Sequence, residues 1–313
     1  MTLLLTHPAC LLHEMAPHHP ECPDRLRAVM AALEAQEFAP LVRAVAPAAT
    51  VEQLTRVHPA DYVDAILAVR PPEGRPAEGF RVQLDADTAM NAHSAEAALR
   101  AAGAGIAAVD AVCRGEFARA FCAVRPPGHH AEPARPMGFC LFATAAVAAR
   151  HAQAVHGVER VAVLDFDVHH GNGTQACFET DPTLFLASSH QVPLYPGTGM
   201  RSETGVGNIL NVPLRPYTDG PTFRRLWAAE ILPAVEIFDP GLVIVSAGFD
   251  AHRADPLANL DLTEADFAWV TEAICALANR ACGGRVVSVL EGGYDLDALA
   301  RSAAAHVRAL MRA

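Results

Sequence analysis

The run VAVLDFDVHHGNG, residues 161–173, begins as one kind of structure and ends as another. Val161 to Leu164 are continuously apolar and rich in β-branched residues, the pattern of a strand covered on both faces, as strands of parallel sheets are. The chain then crowds Asp165, Asp167, His169 and His170 onto the end of that strand. While the backbone stays extended, its period of two puts Asp165, Asp167 and His169 on one side, with Phe166, Val168 and His170 on the other. Carboxylates and an imidazole on one side can share a cation. Paired aspartates after a strand also serve as helix caps, so a second segment has to decide.

Moving outward, similar apolar runs recur as AFCAV near 120, TLFLAS near 183, LVIVSAG near 242 and VVSVL near 286. Between them lie Ala-rich helical segments such as SAEAALRAAGAGIAAVDAVC, LFATAAVAARHAQAV, FRRLWAAEILPAVEIF and TEADFAWVTEAICALANRAC. Strands alternating with helices predict an α/β fold, a three-layer αβα arrangement around a mainly parallel central sheet. Each run is followed by polar residues: RPPGHH, DFDVHHGN, SSH, FDAH and EGGY. Parallel strands deliver their next loops to one edge, so these motifs are expected to converge there.

The chain has 313 residues, 51% of them hydrophobic and 19% charged, enough for a large buried core. The only turn-rich stretch of note, PPEGRPAEG at 71–79, is too short to separate a pair of cores, so residues 1–313 are expected to form one domain. A net charge of −11 argues against a nucleic-acid binder, which needs clustered cationic residues, and is compatible with a cationic substrate. The eight cysteines form no CxxC pair and several sit in apolar runs, as reduced buried thiols do. The N-terminus MTLLLTHPAC lacks a signal pattern, and no apolar stretch is long enough to span a bilayer. A cytoplasmic protein without membrane partners is expected. Oligomeric state, a homo-oligomer included, is left open.

The second acidic strand end is GFDAH, with Asp250. Asp167, His169 and Asp250 together make a three-ligand set with room for water, the pattern of a catalytic zinc centre; iron(II) or cobalt(II) also suit these donors. In RPPGHHAE, the stiff Pro-Pro-Gly turn fixes the direction of His129 and His130. Amide hydrolysis requires a proton acceptor and a proton donor, and two imidazoles with different partners supply both: one facing the Asp165 carboxylate, the other the Asn172 amide. The charged partner should hold its histidine more cationic. Tyr294, after two glycines in EGGYDL, offers a phenol to a tetrahedral oxyanion.

Assembled, the sequence closely resembles the histone deacetylase family and its arginase/deacetylase fold. The resemblance runs from HHPECPDRL through RVHPADYVDAI, DADTAMNAHSAEAALRAAG, RPPGHHAEPARPMGFCLF, VLDFDVHHGNGTQACF, LYPGTG and VSAGFDAHRADPLANL to LEGGYDL. Asn172 and the AHRADPL segment are similar to the class II branch and its bacterial amidohydrolase relatives.

The resemblance implies a zinc-dependent hydrolase removing acetyl or other short acyl groups from amines, acyl-lysine foremost. Zinc would sit on Asp167, His169 and Asp250, with His129 and His130 as the acid/base pair, His130 the base, and Tyr294 polarising the acyl carbonyl. It further implies a channel walled by Phe139 and Tyr195, the Gly138 carbonyl accepting the substrate N–H, Asp85 gripping substrate at the rim, and Arg25 near the inner end. A potassium ion would be held by Asp165, Asp167, His169, Ser188 and Ser189, largely through backbone oxygens. Two departures stand out: Ala143-Thr144 replaces the asparagines common after GFCLF, and Leu257 stands where polyamine-selective relatives carry an acid. Leu257 tilts the expected substrate away from acetylpolyamines. A non-catalytic acyl-lysine binder is the reading the intact acid/base pair disfavours.

Overall fold

The computed structural model describes all 313 residues. Ten strands form: β1 (Thr2–Thr6), β2 (Val42–Val45), β3 (Arg81–Gln83), β4 (Ala89–Asn91), β5 (Arg119–Cys122), β6 (Val161–Asp165), β7 (Leu184–Gln191), β8 (Ile209–Leu214), β9 (Leu242–Ala247) and β10 (Val286–Leu290). Eight of them make one sheet in the order β2-β1-β5-β10-β9-β6-β7-β8, while β3 and β4 pair as a separate hairpin. Every pairing in the large sheet is parallel, and β5, β6, β7, β9 and β10 are buried along their whole length, as their apolar sequences require.

Helices cover the sheet in two groups. Pro23–Ala32, Glu264–Ala281 and Leu296–Arg312 pack together, and Ser94–Cys113 packs on Thr144–His156 in the other group. The helix Ser94–Cys113 follows its Ala-rich segment residue for residue. The expected three-layer architecture is therefore present, with a fully parallel main sheet. Strands β1, β2 and β8 had no counterpart among the five runs noted in the sequence.

Backbone alternation at the strand ends sorts core from site. Phe166, one residue past β6, packs its ring 6.0 Å from Phe249 and 6.0 Å from Phe267. Its neighbours Asp165 and Asp167 turn to the opposite side, where register sets Asp165 beside Ser188 of β7 and Ser246 of β9.

Candidate active site

Beyond β6 the chain bends out of strand geometry, yet His169 returns to Asp167 and meets Asp250 from the loop after β9. His169 Nδ1 lies 3.1 Å from Asp167 Oδ1 and 3.1 Å from Asp250 Oδ2. The other oxygens are anchored by backbone: Asp167 Oδ2 accepts from Gly292 N at 2.8 Å, and Asp250 Oδ1 from Val168 N at 3.0 Å. All three residues are buried. A single imidazole hydrogen cannot neutralise two buried carboxylates, so the donor set and its charge fit a divalent cation. Gly292 is required at this point, because a Cβ there would overlap the carboxylates of both Asp250 and Asp167.

Beside this cluster stand the two histidines, their ring centres 4.0 Å apart. His129 Nδ1 lies 2.9 Å from Asp165 Oδ2, and His130 Nδ1 lies 2.8 Å from Asn172 Oδ1. The Glu291 carboxylate fixes their backbone by accepting from Gly128 N at 2.7 Å and His129 N at 3.1 Å. Their electrostatics diverge as the partners dictate. Burial opposes charge on His129, but the carboxylates of Asp167 and Asp165 outweigh it and hold the pKa well above the imidazole range. Burial and the neighbouring His129 charge push His130 well below that range. One imidazole is thus kept cationic and the other neutral.

Tyr294 enters from the loop after β10, its N–H donating to Asp255 Oδ2 at 2.7 Å. Asp255 Oδ1 accepts from Leu257 N at 2.9 Å, so one buried carboxylate ties the Tyr294 and Leu257 loops together. Burial raises the Tyr294 pKa well above its ordinary value, and the phenol keeps its proton.

Of these groups His130, His169 and Tyr294 line a cavity of about 210 Å³ whose walls include Phe139, Tyr195 and Leu257. The Phe139 ring stands 5.9 Å from Tyr294, and Tyr195 stands 5.2 Å from His130. Gly138 has φ +56°, and a Cβ on it would collide with the His130 ring, so the wall can approach that imidazole only as glycine. Phe139 follows with φ +70°, a left-handed conformation unusual for an aromatic residue; its N–H donates to Thr88 Oγ1 at 3.0 Å. The Gly138 carbonyl accepts from Cys140 Sγ at 3.3 Å.

Asp85, expected to grip substrate at the rim, sits in the turn between β3 and β4. Its Oδ1 accepts from Asp87 N at 3.0 Å and Thr88 N at 2.6 Å, closing the turn between β3 and β4. Asp85 borders an adjoining pocket of about 300 Å³, and the acid that lines the channel cavity itself is Asp87. Among the residues assigned to potassium, Ser188 Oγ lies 2.8 Å from His190 Nδ1 and Ser189 Oγ accepts from Trp227 Nε1 at 2.9 Å.

A space of about 530 Å³ at the opposite strand ends, beside Phe117 and Cys282, gathers no acid/base pair. Asp110, His151 and His156 form a second His/Asp cluster. Arg56 Nη1 stands 2.8 Å from His151 Nδ1, which places the His151 proton on Nε2, donated to Asp110 Oδ1 at 2.8 Å. No lone pair of that imidazole then faces the cluster.

The sequence motifs alone give no role to Asp87, Asp255, Glu291 or the buried group of Glu21 and Arg125. Asp255 and Glu291 lie inside noted motifs and were discoverable as polar residues in otherwise apolar surroundings. Glu21 and Arg125 meet across 104 positions, a pairing no local pattern announces.

The histone deacetylase domain model matches residues 19–310. The chain belongs to the histone deacetylase family. It is similar to the chloroplastic histone deacetylase 14 of Arabidopsis thaliana, with 41% identity over 94% of this chain and 73% of that protein. It is also similar to a histone deacetylase-like amidohydrolase of Pseudomonas aeruginosa, with 39% identity over 91% of this chain and 80% of that protein. In three dimensions it superposes on the crystal structure of the HDA15 HD domain with a TM-score of 0.92 and 37% identity, covering 99% of this chain and 88% of that one. As a member of this family the chain is a hydrolytic deacetylase enzyme, and the family is typically zinc-dependent. No helix is long and apolar enough to cross a membrane.

Proposed function

We propose that residues 1–313 form one catalytic domain, a zinc-dependent hydrolase that removes acetyl or other short acyl groups from amines, with acyl-lysine of proteins or peptides as its substrate class. The observation that carries this is the asymmetric pair, His129 on Asp165 and His130 on Asn172, beside the Asp167, His169 and Asp250 cluster, with His130, His169 and Tyr294 lining one cavity.

Asp167, His169 and Asp250 would hold a zinc ion, which would supply Lewis acidity toward a carbonyl and lower the pKa of water. The protein's own groups do the rest. His130 is neutral with Nδ1 satisfied by Asn172, so Nε2 is the atom that takes a proton from water as it adds to the acyl carbon. The Tyr294 phenol donates to the acyl oxygen as it gains charge. His129, cationic beside Asp165, stabilises that charge, and an imidazole of the pair then protonates the departing amine. Phe139 and Tyr195 exclude water from the acyl-bearing chain, and the Gly138 carbonyl orients the substrate N–H.

Potassium at Asp165, Asp167, His169, Ser188 and Ser189 belongs to the same reading, as does a cytoplasmic location. Leu257, one-third exposed at the mouth, presents no charge to a distal ammonium and favours acyl-lysine over acetylpolyamine. The test is turnover of an acetyl-lysine peptide and an acetylpolyamine before and after verified metal removal. Peptide turnover abolished by chelation and restored by zinc supports the proposal; undiminished turnover by the metal-free protein refutes it.

A further inference from the structure

An amide, unlike a carboxylate, has two faces. Asp165 accepts a hydrogen from His129 whichever oxygen it presents, whereas Asn172 serves His130 correctly only with its oxygen turned toward Nδ1. If the amide turned over, its NH2 would face Nδ1, the imidazole proton would move to Nε2, and the lone pair facing the cavity would be lost.

The other side of Asn172 shows what prevents this. Its Nδ2 lies 2.9 Å from Glu132 Oε1 and 3.3 Å from Met137 Sδ. An ionised carboxylate accepts only, and a thioether does not donate, so the amide nitrogen has partners on that side and the oxygen has none. Glu132 is itself held in a tight turn, its N–H donating to Arg135 O at 3.0 Å. It is half-buried and borders the 300 Å³ pocket next to the channel.

We propose that Glu132 is a positioning residue: it locks the Asn172 amide in the one orientation that keeps the His130 proton on Nδ1 and Nε2 free as base. This rests on the proposed role of His130. Base competence then depends on a residue outside the lining of the channel cavity.

The test uses the full-length zinc-loaded protein and four variants. Glu132→Gln retains an oxygen to accept from Asn172 and is expected within about fivefold of the wild-type kcat. Glu132→Ala, which releases the amide, should lower kcat roughly tenfold with KM within about twofold. Glu132→Lys, which offers only donors, should draw the Asn172 oxygen to itself and lower kcat roughly a hundredfold. Adding Asn172→Asp to Glu132→Lys should recover at least about tenfold of that, because a carboxylate accepts from both lysine and His130. Nitrogen-15 NMR of His130 should report the Nδ1–H tautomer in wild type and the Nε2–H tautomer in Glu132→Lys. Wild-type kcat and tautomer in Glu132→Lys, or a double variant no better than Glu132→Lys alone, overturns the proposal. Where Glu132→Lys does not fold, Glu132→Ala decides by its tautomer and its kcat against KM. Absence of amide hydrolysis by the wild type would refute the proposed function instead, and the tautomer measurement stands apart from it.

Discussion

The Arg25 guanidinium sits 4.8 Å from the centre of the Tyr294 ring, over its face. From there Arg25 donates to the carbonyls of Gly293 and Glu291 at 2.5 Å each, so it grips the turn that delivers the phenol. Glu21 holds it in place, its Oε1 lying 3.0 Å from Arg25 Nη1, and Arg125 binds the same carboxylate. A buried cation with this many partners is a scaffold as well as a field. Arg25→Ala is expected to reduce kcat at least tenfold with a smaller change in KM, and to lower unfolding free energy by about 3 kcal/mol through the broken buried pair. Arg25→Lys should restore some stability but little kcat, since one ammonium cannot span both carbonyls; denaturant melts and steady-state kinetics check both.

Metal binding should be visible without any substrate. Asp167→Asn and Asp250→Asn each remove one charge from the ligand set, so zinc content measured by elemental analysis should fall well below one ion per chain. Zinc bound at about a thousandfold over its Kd would stabilise the wild type by about 4 kcal/mol, a rise of several degrees in Tm. Neither variant should show that rise.

The two histidines should differ in their pH dependence. His130 acts neutral and its pKa lies well below the imidazole range, so kcat/KM should hold steady as pH falls through 6.5 and drop only below it. His129 is held cationic well above that range, chiefly against burial by Asp167 and Asp165. Asp165→Asn removes one of those charges, lowers the pKa of His129 and should move the alkaline limb to lower pH. His130→Ala is expected to cost roughly 10²- to 10⁴-fold in kcat, the usual worth of a general base.

Selectivity should follow the residue at the channel mouth. Leu257→Glu places a carboxylate where a polyamine's distal ammonium would lie, and should raise the kcat/KM ratio of acetylpolyamine to acetyl-lysine peptide at least tenfold. An unchanged ratio would show that the rim, Asp87 included, already sets the preference.

Stability should erode in mild acid. Burial depresses His58 to about 4, and His190 and His306 to about 3. Below the ordinary imidazole pKa the unfolded chain takes up protons that the folded chain refuses, so stability is full above about pH 6.5 and declines as pH falls toward 4. Each of the three contributes up to about 1.4 kcal/mol per pH unit to that decline. Glu291 and Asp255, raised by burial to about 7, and Asp165, raised to about 6, take up protons in the folded state and oppose this decline. Urea melts between pH 7 and 4.5 on the wild type and on His306→Gln isolate the imidazole share, and an unchanged slope in the variant would contradict it.

By itself the sequence determined the kind of fold and the chemical components. Continuous apolar runs at β5, β6, β7, β9 and β10 announce a parallel sheet, because only a strand covered on both faces can be apolar throughout. Parallel order then sends His129, His130, Asp167, Asp250 and Tyr294 to one edge. Short strands such as β2, whose residues are mostly exposed, and β1, five residues at the start of the sequence, carry too weak a signal to be placed. The tertiary structure alone decided which side chains meet. Asp87 faces the channel while Asp85 closes its own turn, a choice made by the hairpin's backbone hydrogen bonds rather than by residue type. Glu21 reaches Arg25 and Arg125, Asp255 reaches Tyr294, and Glu132 reaches Asn172 across 40 positions. Local patterns encode which face a residue presents, but a hydrogen bond requires a direction and a distance of about 3 Å, and only the packed chain sets those.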